Sequence, residues 1–404
     1  MQIRPILTAL RHHCLAALLI ALEVALACAV LCNACFLIVN RLDMMRIDSG
    51  VDESSLALLQ LTGYEGSAAA DLNARVLAGL RAIPGMQSVS VLSTVPFGPQ
   101  VGWSGITIDT ARKNYVATAD FDVGGPGSIK ALGLKLVAGH LPELADYQPL
   151  DNFVPADSRV LISRALADFL WPGEDPLGKE FWCVQFHFRV IGVLDHLAAT
   201  HPDSHGMNSA GWSVFVPAQP GKFLSGSYVL RADPRELPRV LRDARAVIAK
   251  VAPDAVLDHS DSQTVSDLRY AYFQRDRAMT GMLVGVIVAL LLVTTLGIMG
   301  LASFWVTQRN KQIGIRRAIG ATRSDILHYF QIENFLIISF GIAMGMLLAY
   351  ALNIVLMKFY EVPHLPLYYL PLSALTLWGL GQLAVLGPAM RAAAVPPVVA
   401  TRSV

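Results

Sequence analysis

Between two long apolar runs lies the segment TQRNKQIGIRRAIGATRSDILHYFQIENFLI, residues 307–337, which decides how the whole chain is arranged. The spacing of its apolar residues predicts a short basic helix over Gln308–Ile319. One face of this helix carries Ile315, Ala318 and Ile319, with Arg309, Arg316 and Arg317 around it. The segment is therefore more than a solvated stretch of positive charge.

Two signals indicate that this helix ends abruptly and that another begins at once. Gly320 is placed to end it by adopting a positive φ. Thr322 and Asp325 then resemble a capping box, with Asp where Glu or Gln is usual. An ordinary loop lying on anionic lipid has the same composition, but it needs neither signal. We therefore predict a rigid, cationic elbow over residues 307–331.

Outward from the elbow, the chain is unusually apolar. Hydrophobic residues make up 54% and charged residues 16% of its 404 residues, which excludes intrinsic disorder. Each of four apolar runs approaches or exceeds the roughly 20 residues that a helix needs to cross a bilayer. The predicted spans are residues 14–40, 280–306, 332–357 and 371–390. The first run is about twice as long as the apolar part of a signal peptide, so cleavage is disfavoured.

Lys and Arg beside the spans predict the orientation. Basic residues occur in the N-terminal segment 1–13, in the elbow and in the tail 391–404, which we place in the cytoplasm. Residues 41–279 and the loop 358–370 are then exported. The segment from Arg41 to Arg277 is mildly acidic, with 27 acidic and 22 basic residues. We expect a multi-pass protein of the bacterial inner membrane.

The exported segment reads as two strand–helix–strand units around a β-rich middle. Such a pair can fold together as one ferredoxin-like, porter-type layer. We predict a membrane protein with four transmembrane helices and an α+β exported domain, in which a β-rich subdomain of about 125–225 is inserted into that layer. The strand–helix–strand units cover residues 57–93 and 227–259. Cys183 is the one exported cysteine, so no internal disulfide is expected.

Polar and small residues inside the spans have either a structural or a functional interpretation. Glu23 is costly in hydrocarbon and should face the helix bundle. A structural hydrogen bond, with Thr294, Thr295, Asn353 or a partner chain nearby, is favoured over a role in proton or substrate movement. Small residues favour close helix packing over metal binding. They are Cys28, Cys32, Cys35, Gly281, Gly285, Gly341 and Gly345.

Two exported motifs only imitate functional sites. GEDPLGKE (173–180) nearly spells a phosphate-binding loop, but Glu180 replaces the required Ser or Thr. A loop with His196, His201, Asp203 and His205 lacks the spacing of a standard zinc site. We predict no metal site, no catalytic residue and no nucleic-acid partner.

Five strings, from the elbow, the exported segment and the tail, resemble the FtsX-like permeases of the macrolide-exporter (MacB) type. They are QRNKQIGIRRAIGATRSDILHYFQIE, the exported strings SIKALGLKLVAGH, VLISRALADFLWPGEDPLGKEF and FRVIGVLDH, and the tail PAMRAAAVPPVVATR. The resemblance implies a dimer, homomeric or with a paralogue, whose elbow binds a cytoplasmic ABC ATPase, and a periplasmic core domain with a possible adaptor protein. ATP and Mg²⁺ would be bound by the ATPase, and no cofactor by this chain.

The resemblance also implies which residues couple the permease to the ATPase. They are Gln308, Arg309, Ile313, Ile315, Arg316, Arg317, Ala318, Ile319, Gly320 and Ala321. Unlike the macrolide exporter, the chain shows no fused ATPase, and residues 44–70 match no family pattern. Three functions stay open: a transport permease, a signalling component acting on an exported partner such as a wall hydrolase, and an anchored enzyme using His201–His205.

Overall fold

The structure is a computed structural model that describes residues 14–99, 102–110, 112–150, 154–202, 209–360 and 364–394. It divides into two compact units. The helical unit contains residues up to Asp43 and from Asp276 onward, and the αβ unit contains Met44–Arg275.

The helices are α1 (Cys14–Met45), α2 (Ala69–Arg81), α3 (Ser128–Leu132), α4 (Arg164–Leu170), α5 (Leu237–Val251), α6 (Val265–Tyr272), α7 (Gln274–Gln308), α8 (Asn310–Ala318), α9 (Arg323–Tyr360) and α10 (Tyr369–Ala394). The strands are β1 (Leu56–Thr62), β2 (Met86–Val91), β3 (Trp103–Thr107), β4 (Ala117–Gly124), β5 (Leu136–Gly139), β6 (Asp157–Ser163), β7 (Glu180–Cys183), β8 (Phe186–Leu194), β9 (Ser213–Pro217), β10 (Ser227–Ala232) and β11 (Val256–Asp258).

In the helical unit, four of the described helices are long and apolar enough to cross a membrane: α1, α7, α9 and α10. This confirms the predicted number of spans. The helices extend beyond the apolar runs, because polar turns at their ends continue the backbone hydrogen bonding. In its most apolar stretch α1 is 56% buried, whereas α7 is only 11% buried. Of the four helices, α1 is therefore the most buried and α7 the least buried within this unit.

The first layer of the αβ unit is the predicted ferredoxin-like sheet. Its strand order is β11-β1-β10-β2, and all neighbours are antiparallel. Each strand–helix–strand unit thus contributes one central and one outer strand. Leu59 and Leu61 on β1 share one core with Val76 of α2 and Val240 of α5. The alternate β1 residues Leu56 and Leu58 belong to a second core, which explains why this strand is apolar on both faces.

The inserted subdomain is a second, mixed sheet. Its order is β5-β8-β6-β9-β4-β3-β7, and β7 also pairs with β8, which closes six strands into a ring. Phe121, Phe181 and Phe188 fill the interior, with ring centroids 5.2 to 5.4 Å apart. The sheet begins at Trp103, earlier than the boundary of about 125 expected from the sequence. The first two strands of this sheet, β3 and β4, pair as an antiparallel hairpin. The sequence does not reveal the hairpin because β4 is buried on both faces, so apolar and polar residues do not alternate along it.

Candidate functional site

The elbow is a short helix closed firmly at its C-terminal end. α8 spans Asn310–Ala318, and Gly320 has a φ of +108°. The amide of Gly320 donates to the Arg317 carbonyl at 3.1 Å, and that of Ala321 donates to Arg316 at 3.0 Å. These bonds satisfy carbonyls that a helix end leaves open, and they require a left-handed residue just after the helix. Gly320 thus has the conformation that the sequence predicts.

The next helix starts with a reciprocal cap. The Asp325 carboxylate accepts hydrogen bonds from the Thr322 amide at 2.9 Å and from its hydroxyl at 2.6 Å. The Asp325 amide in turn donates to the Thr322 hydroxyl oxygen at 3.2 Å. Asp can therefore replace the usual Glu in the capping box. Only Ile319 to Thr322 separate α8 from α9, so the corner has little freedom to bend.

A buried ion pair fixes the junction between α7 and α8. Arg309 is 8% exposed and Glu333, on α9, is 2% exposed. The Arg309 Nη1 atom lies 3.0 and 2.9 Å from the two Glu333 carboxylate oxygens. The Arg309 amide donates to carbonyls of α7, while its own carbonyl accepts from Ile313 of α8. One residue therefore links three helices of this unit.

This geometry changes the role expected for two residues. Arg309 and Ile313 belong to the set implied for ATPase contact, but both side chains are buried within the helical unit. They are four residues apart, a spacing that places two side chains on one face of a helix. Neither side chain can form a surface contact while this packing holds.

The remaining elbow residues form an exposed surface of mixed character. Ile319 is 82% exposed, and Ile315 is also exposed. The Arg316 guanidinium lies over the Tyr329 ring, 4.8 Å from its centroid. These side chains border a shallow hollow of about 370 Å³, whose lining is Arg316, Ile319, Ala321, Asp325, Ile326 and Tyr329. Gln308, Ala318 and Gly320 are exposed, and Arg317 and Ala321 are half-buried.

Tyr329 and Glu333 complete this site, although neither is among the residues predicted from the sequence. Both lie on α9, one turn apart, where the helix enters its apolar run. The sequence did contain a signal for Glu333: it is an acidic residue close to the start of a predicted span, and a charge at that position requires a partner.

Glu23 lies on α1 with its carboxylate against α7. A Cβ atom added at Gly297 would come within 2.6 Å of Glu23 Oε2. The three polar side chains expected near it form other hydrogen bonds: Thr294 with Leu290, Thr295 with Leu291, and Asn353 with Leu365. The role of Glu23 stays a prediction.

The two glycine pairs have different surroundings. Cβ atoms at Gly341 and Gly345 would lie 2.7 and 2.6 Å from the α1 carbonyl oxygens of Ala21 and Ala25. These glycines therefore allow α9 to approach α1 closely, and Cys28 lies in the same contact. Cys32 is buried and Cys35 half-buried on α1. No described atom lies within 4 Å of a Cβ at Gly281 or Gly285, so these two do not pack within the chain.

The segment 173–180 and the loop containing His196 and His201 form ordinary structural contacts. Lys179 Nζ lies 2.6 Å from a Glu174 oxygen, and Gly173 and Gly178 have positive φ, as in a turn. His196 Nε2 lies 2.7 Å from the Asp48 carbonyl oxygen. The His201 ring packs edge-on against Tyr272. Asp203 and His205 lie outside the described residues, and among those described no three His, Cys, Asp or Glu side chains converge on one point.

The family comparison matches the segment that contains the elbow. Residues 284–397 match the model of the FtsX-like permease C-terminal domain. The chain is 28% identical over 256 residues to the macrolide export ATP-binding/permease protein MacB of Neisseria gonorrhoeae, covering 61% of this chain and 37% of that protein. It is 28% identical over 316 residues to MacB of Bartonella henselae, covering 74% and 45%. The chain thus spans less than half the length of these relatives.

Two solved structures are weakly similar. The periplasmic region of MacB from Actinobacillus actinomycetemcomitans is 16% identical with a TM-score of 0.33, covering 52% of this chain and 91% of that one. The extracellular domain of the noncanonic ABC-type transporter YknZ is 13% identical with a TM-score of 0.32, covering 50% and 100%. Residues 284–397 thus resemble the C-terminal domain of FtsX-like permeases, and the chain is similar to macrolide export ATP-binding/permease proteins.

Proposed function

We propose that this chain is the permease subunit of an ABC export system. In this proposal a separate cytoplasmic ABC ATPase binds the elbow and hydrolyses ATP. The permease passes the resulting movement to the αβ unit, which lies in the periplasm and expels a substrate from the periplasm or the outer leaflet. The observation that carries the proposal is an exposed apolar and cationic surface on a corner held by a cap, a left-handed glycine and a buried ion pair.

The chemistry of the elbow surface favours a protein partner. An isoleucine that is 82% exposed would gain free energy by entering a pocket of a partner, while Arg316 beside it can pair with an acidic group. Movement of the partner is then transmitted because the elbow cannot bend independently. Arg309 joins it to α7 and, through Glu333, to α9.

The proposed orientation rests on the positive charge of the elbow. Arg316, Arg317 and Arg323 lie within one short segment between α7 and α9, and such segments are retained in the cytoplasm. With four spans, both termini are then cytoplasmic and residues 44–275 are periplasmic. Labelling of single cysteines placed at 317 and 235 in intact cells tests this orientation.

A second copy of the permease, or a paralogue, is proposed to cover α7. This helix is the least buried of the four, and Gly281 and Gly285 expose backbone that a partner helix could approach. A periplasmic adaptor protein is a further proposed partner of the αβ unit.

The elbow proposal is tested with a pair of charge reversals. Arg316→Glu changes the surface of the hollow, whereas Arg323→Glu makes the same change of charge at a residue that does not line it. The ABC ATPase should co-purify with the wild type and with Arg323→Glu, and its recovery with Arg316→Glu should fall at least about tenfold. Equal recovery with both variants would overturn the proposal.

The same coupling could serve signalling to a periplasmic partner such as a wall hydrolase. Cells that lack the chain separate the two functions. Accumulation of a transported compound supports export, whereas loss of hydrolase activity without accumulation supports signalling.

A further inference from the structure

The αβ unit contains an arginine that ties together the two stretches of chain adjoining α1 and α7. Arg269 lies on α6, five residues before α7 begins. Its Nη2 atom donates to the carbonyl oxygens of Met45, at 2.8 Å, and of Ile47. Its Nη1 atom donates to the Glu53 carboxylate. One guanidinium thus reaches three points of the stretch that follows α1.

The bond to Met45 closes the end of a long helix. Met45 is the last residue of α1, and the last carbonyls of a helix have no partner within it. These carbonyls also carry the negative end of the helix dipole, which a cation stabilises. Arg269 therefore caps α1 from an element that is more than 200 residues away in sequence.

The guanidinium is held in place on its other sides. It lies 4.9 Å from the centroid of the buried Phe97 ring, a cation–π distance. The Glu53 carboxylate also accepts the Ser49 hydroxyl at 2.6 Å. The Arg269 and Glu53 side chains are only 20% and 18% exposed, so solvent screens the pair weakly.

α6 itself is anchored in the core of the αβ unit. Leu268 and Phe273 are buried there together with Leu58 of β1. The Thr264 hydroxyl accepts from the Asp267 amide and so caps the start of α6. Arg269 is therefore presented by a fixed helix, and the stretch after α1 is the part that it restrains.

The helical unit contains a tie of the same kind. Arg41 of α1 and Asp276 of α7 form an ion pair of 2.9 Å, close to the point where each helix leaves that unit. The ends of α1 and α7 are thus paired within the helical unit, and their continuations are paired within the αβ unit.

We infer that Arg269 is a positioning residue that makes residues 45–53 and 264–273 move as one body, so that a movement of either α1 or α7 reaches the αβ unit through both. This inference rests on the proposed function only for the source of the movement. The tie itself is a property of the isolated chain.

The first experiment uses the full chain alone in detergent, with hydrogen exchange measured by mass spectrometry. Arg269→Ala should increase exchange in residues 45–53 at least about tenfold, because hydrogen bonds from a charged donor are lost, while β8 and β9 stay protected. Arg245→Ala is the matched control, because Arg245 also donates to a backbone carbonyl of this unit, that of Ser262. Arg245→Ala should leave the hydrogen exchange of residues 45–53 at the wild-type rate.

Two results would overturn the tie. One is unchanged exchange of residues 45–53 in Arg269→Ala, and the other is an equal increase throughout the αβ unit, which a purely structural role would give. If Arg269→Ala does not fold, Arg269→Lys replaces it. Lysine keeps the charge but not the forked donor geometry, so the same local increase is expected with a smaller size.

The second experiment adds the ABC ATPase in nanodiscs, with and without ATP and vanadate. Arg269→Ala should bind the ATPase as the wild type does, since the elbow is unchanged. Nucleotide should still alter exchange at the elbow of this variant but no longer in the αβ unit. A nucleotide effect on the αβ unit that survives Arg269→Ala overturns the inference. A wild type that binds no ATPase overturns the proposed function and leaves the tie to the first experiment.

Discussion

Asp122 is a buried carboxyl group on β4 with incomplete hydrogen bonding. Its side chain is 6% exposed, and its Oδ2 atom has no partner among the described residues. Burial raises the pKa of Asp122 well above its ordinary value, and the nearby charge of Asp120 raises this pKa further, while the Thr200 hydroxyl lowers it. The Asp120 carboxylate accepts the Thr200 amide at 2.7 Å. The folded protein therefore keeps a proton on Asp122 that the unfolded chain releases.

Because the folded protein retains this proton, we predict that its free energy of unfolding falls as the pH rises. Below about pH 4 both folded and unfolded chains hold the proton. Between there and the raised pKa of the folded state only the folded chain does, so stability decreases with pH. Asp122→Asn removes this dependence and should give a higher melting temperature than the wild type at pH 8. Melting temperatures of both proteins between pH 4 and 8 check this, with Asp168→Asn, at an exposed carboxyl, as the control. Parallel curves for Asp122→Asn and the wild type would contradict it.

For single residues, the sequence predicted the backbone conformation and local hydrogen bonds better than the tertiary contacts of the side chains. The positive φ of Gly320 and the Thr322–Asp325 cap follow from neighbours within a few residues, and both are present. The burial of Arg309 depends on Glu333, 24 residues away, and on the bend between α7 and α8. Such a partner can be identified only when the packing of three helices is known. The sequence placed Arg309 in the coupling segment, but it could not show that this side chain is buried.

Among the secondary-structure elements, the order of strands in a sheet was predicted correctly where few strand pairings are possible. Two strand–helix–strand units can share one antiparallel sheet in few ways, and the ferredoxin-like order follows from them. The inserted ring is different. It combines parallel pairs, β4 with β9 and β6 with β8, and joins β3 to β7 across more than 70 residues. No local periodicity encodes such long-range pairs, so only the β-rich character of this segment could be predicted.

The glycines of the long helices offer a matched test at this scale. Gly345→Leu places a side chain where a Cβ would already lie 2.5 Å from Cys28 Cβ, whereas a Cβ at Gly379 of α10 has no described atom within 4 Å. Both changes raise helix propensity similarly. We expect Gly345→Leu to destabilise the helical unit by about 1–3 kcal/mol, the usual range for overpacking, and Gly379→Leu to leave it near the wild type. Thermal unfolding of the purified proteins in detergent measures this, and equal losses would refute the packing argument.

At the scale of the whole molecule, the αβ unit has the properties of an independent domain. Its cores contain buried residues from 56 to 273, all within its own bounds. Both stretches tied by Arg269 belong to it. Cys183, its one cysteine, is buried, and this burial raises the pKa of the thiol while a hydrogen bond with Ser104 lowers it. A thiol that keeps its proton reacts slowly, so Cys183 should resist oxidation while the unit is folded.

We therefore expect a fragment of residues 44–275 to fold without the helical unit. It should unfold in one cooperative urea transition, with dispersed amide signals by nuclear magnetic resonance. A second fragment, 54–263, lacks Glu53 and Arg269 and should be less stable by several kcal/mol, since it loses both tied stretches. A 44–275 fragment with collapsed signals and no cooperative transition would show that the helical unit is needed for folding.

The closed strand ring restricts how other proteins can bind the αβ unit. Recognition by β-augmentation needs an edge strand with free amides and carbonyls, usually about five or six residues long. Among the described strands, β5 has four residues and β11 three, and at the end of β2 the Val91 carbonyl already accepts from the Gly125 amide. We therefore expect a protein partner of the αβ unit to recognise mainly side chains and loop tips, so that point substitutions would change its specificity more than blocking of backbone groups.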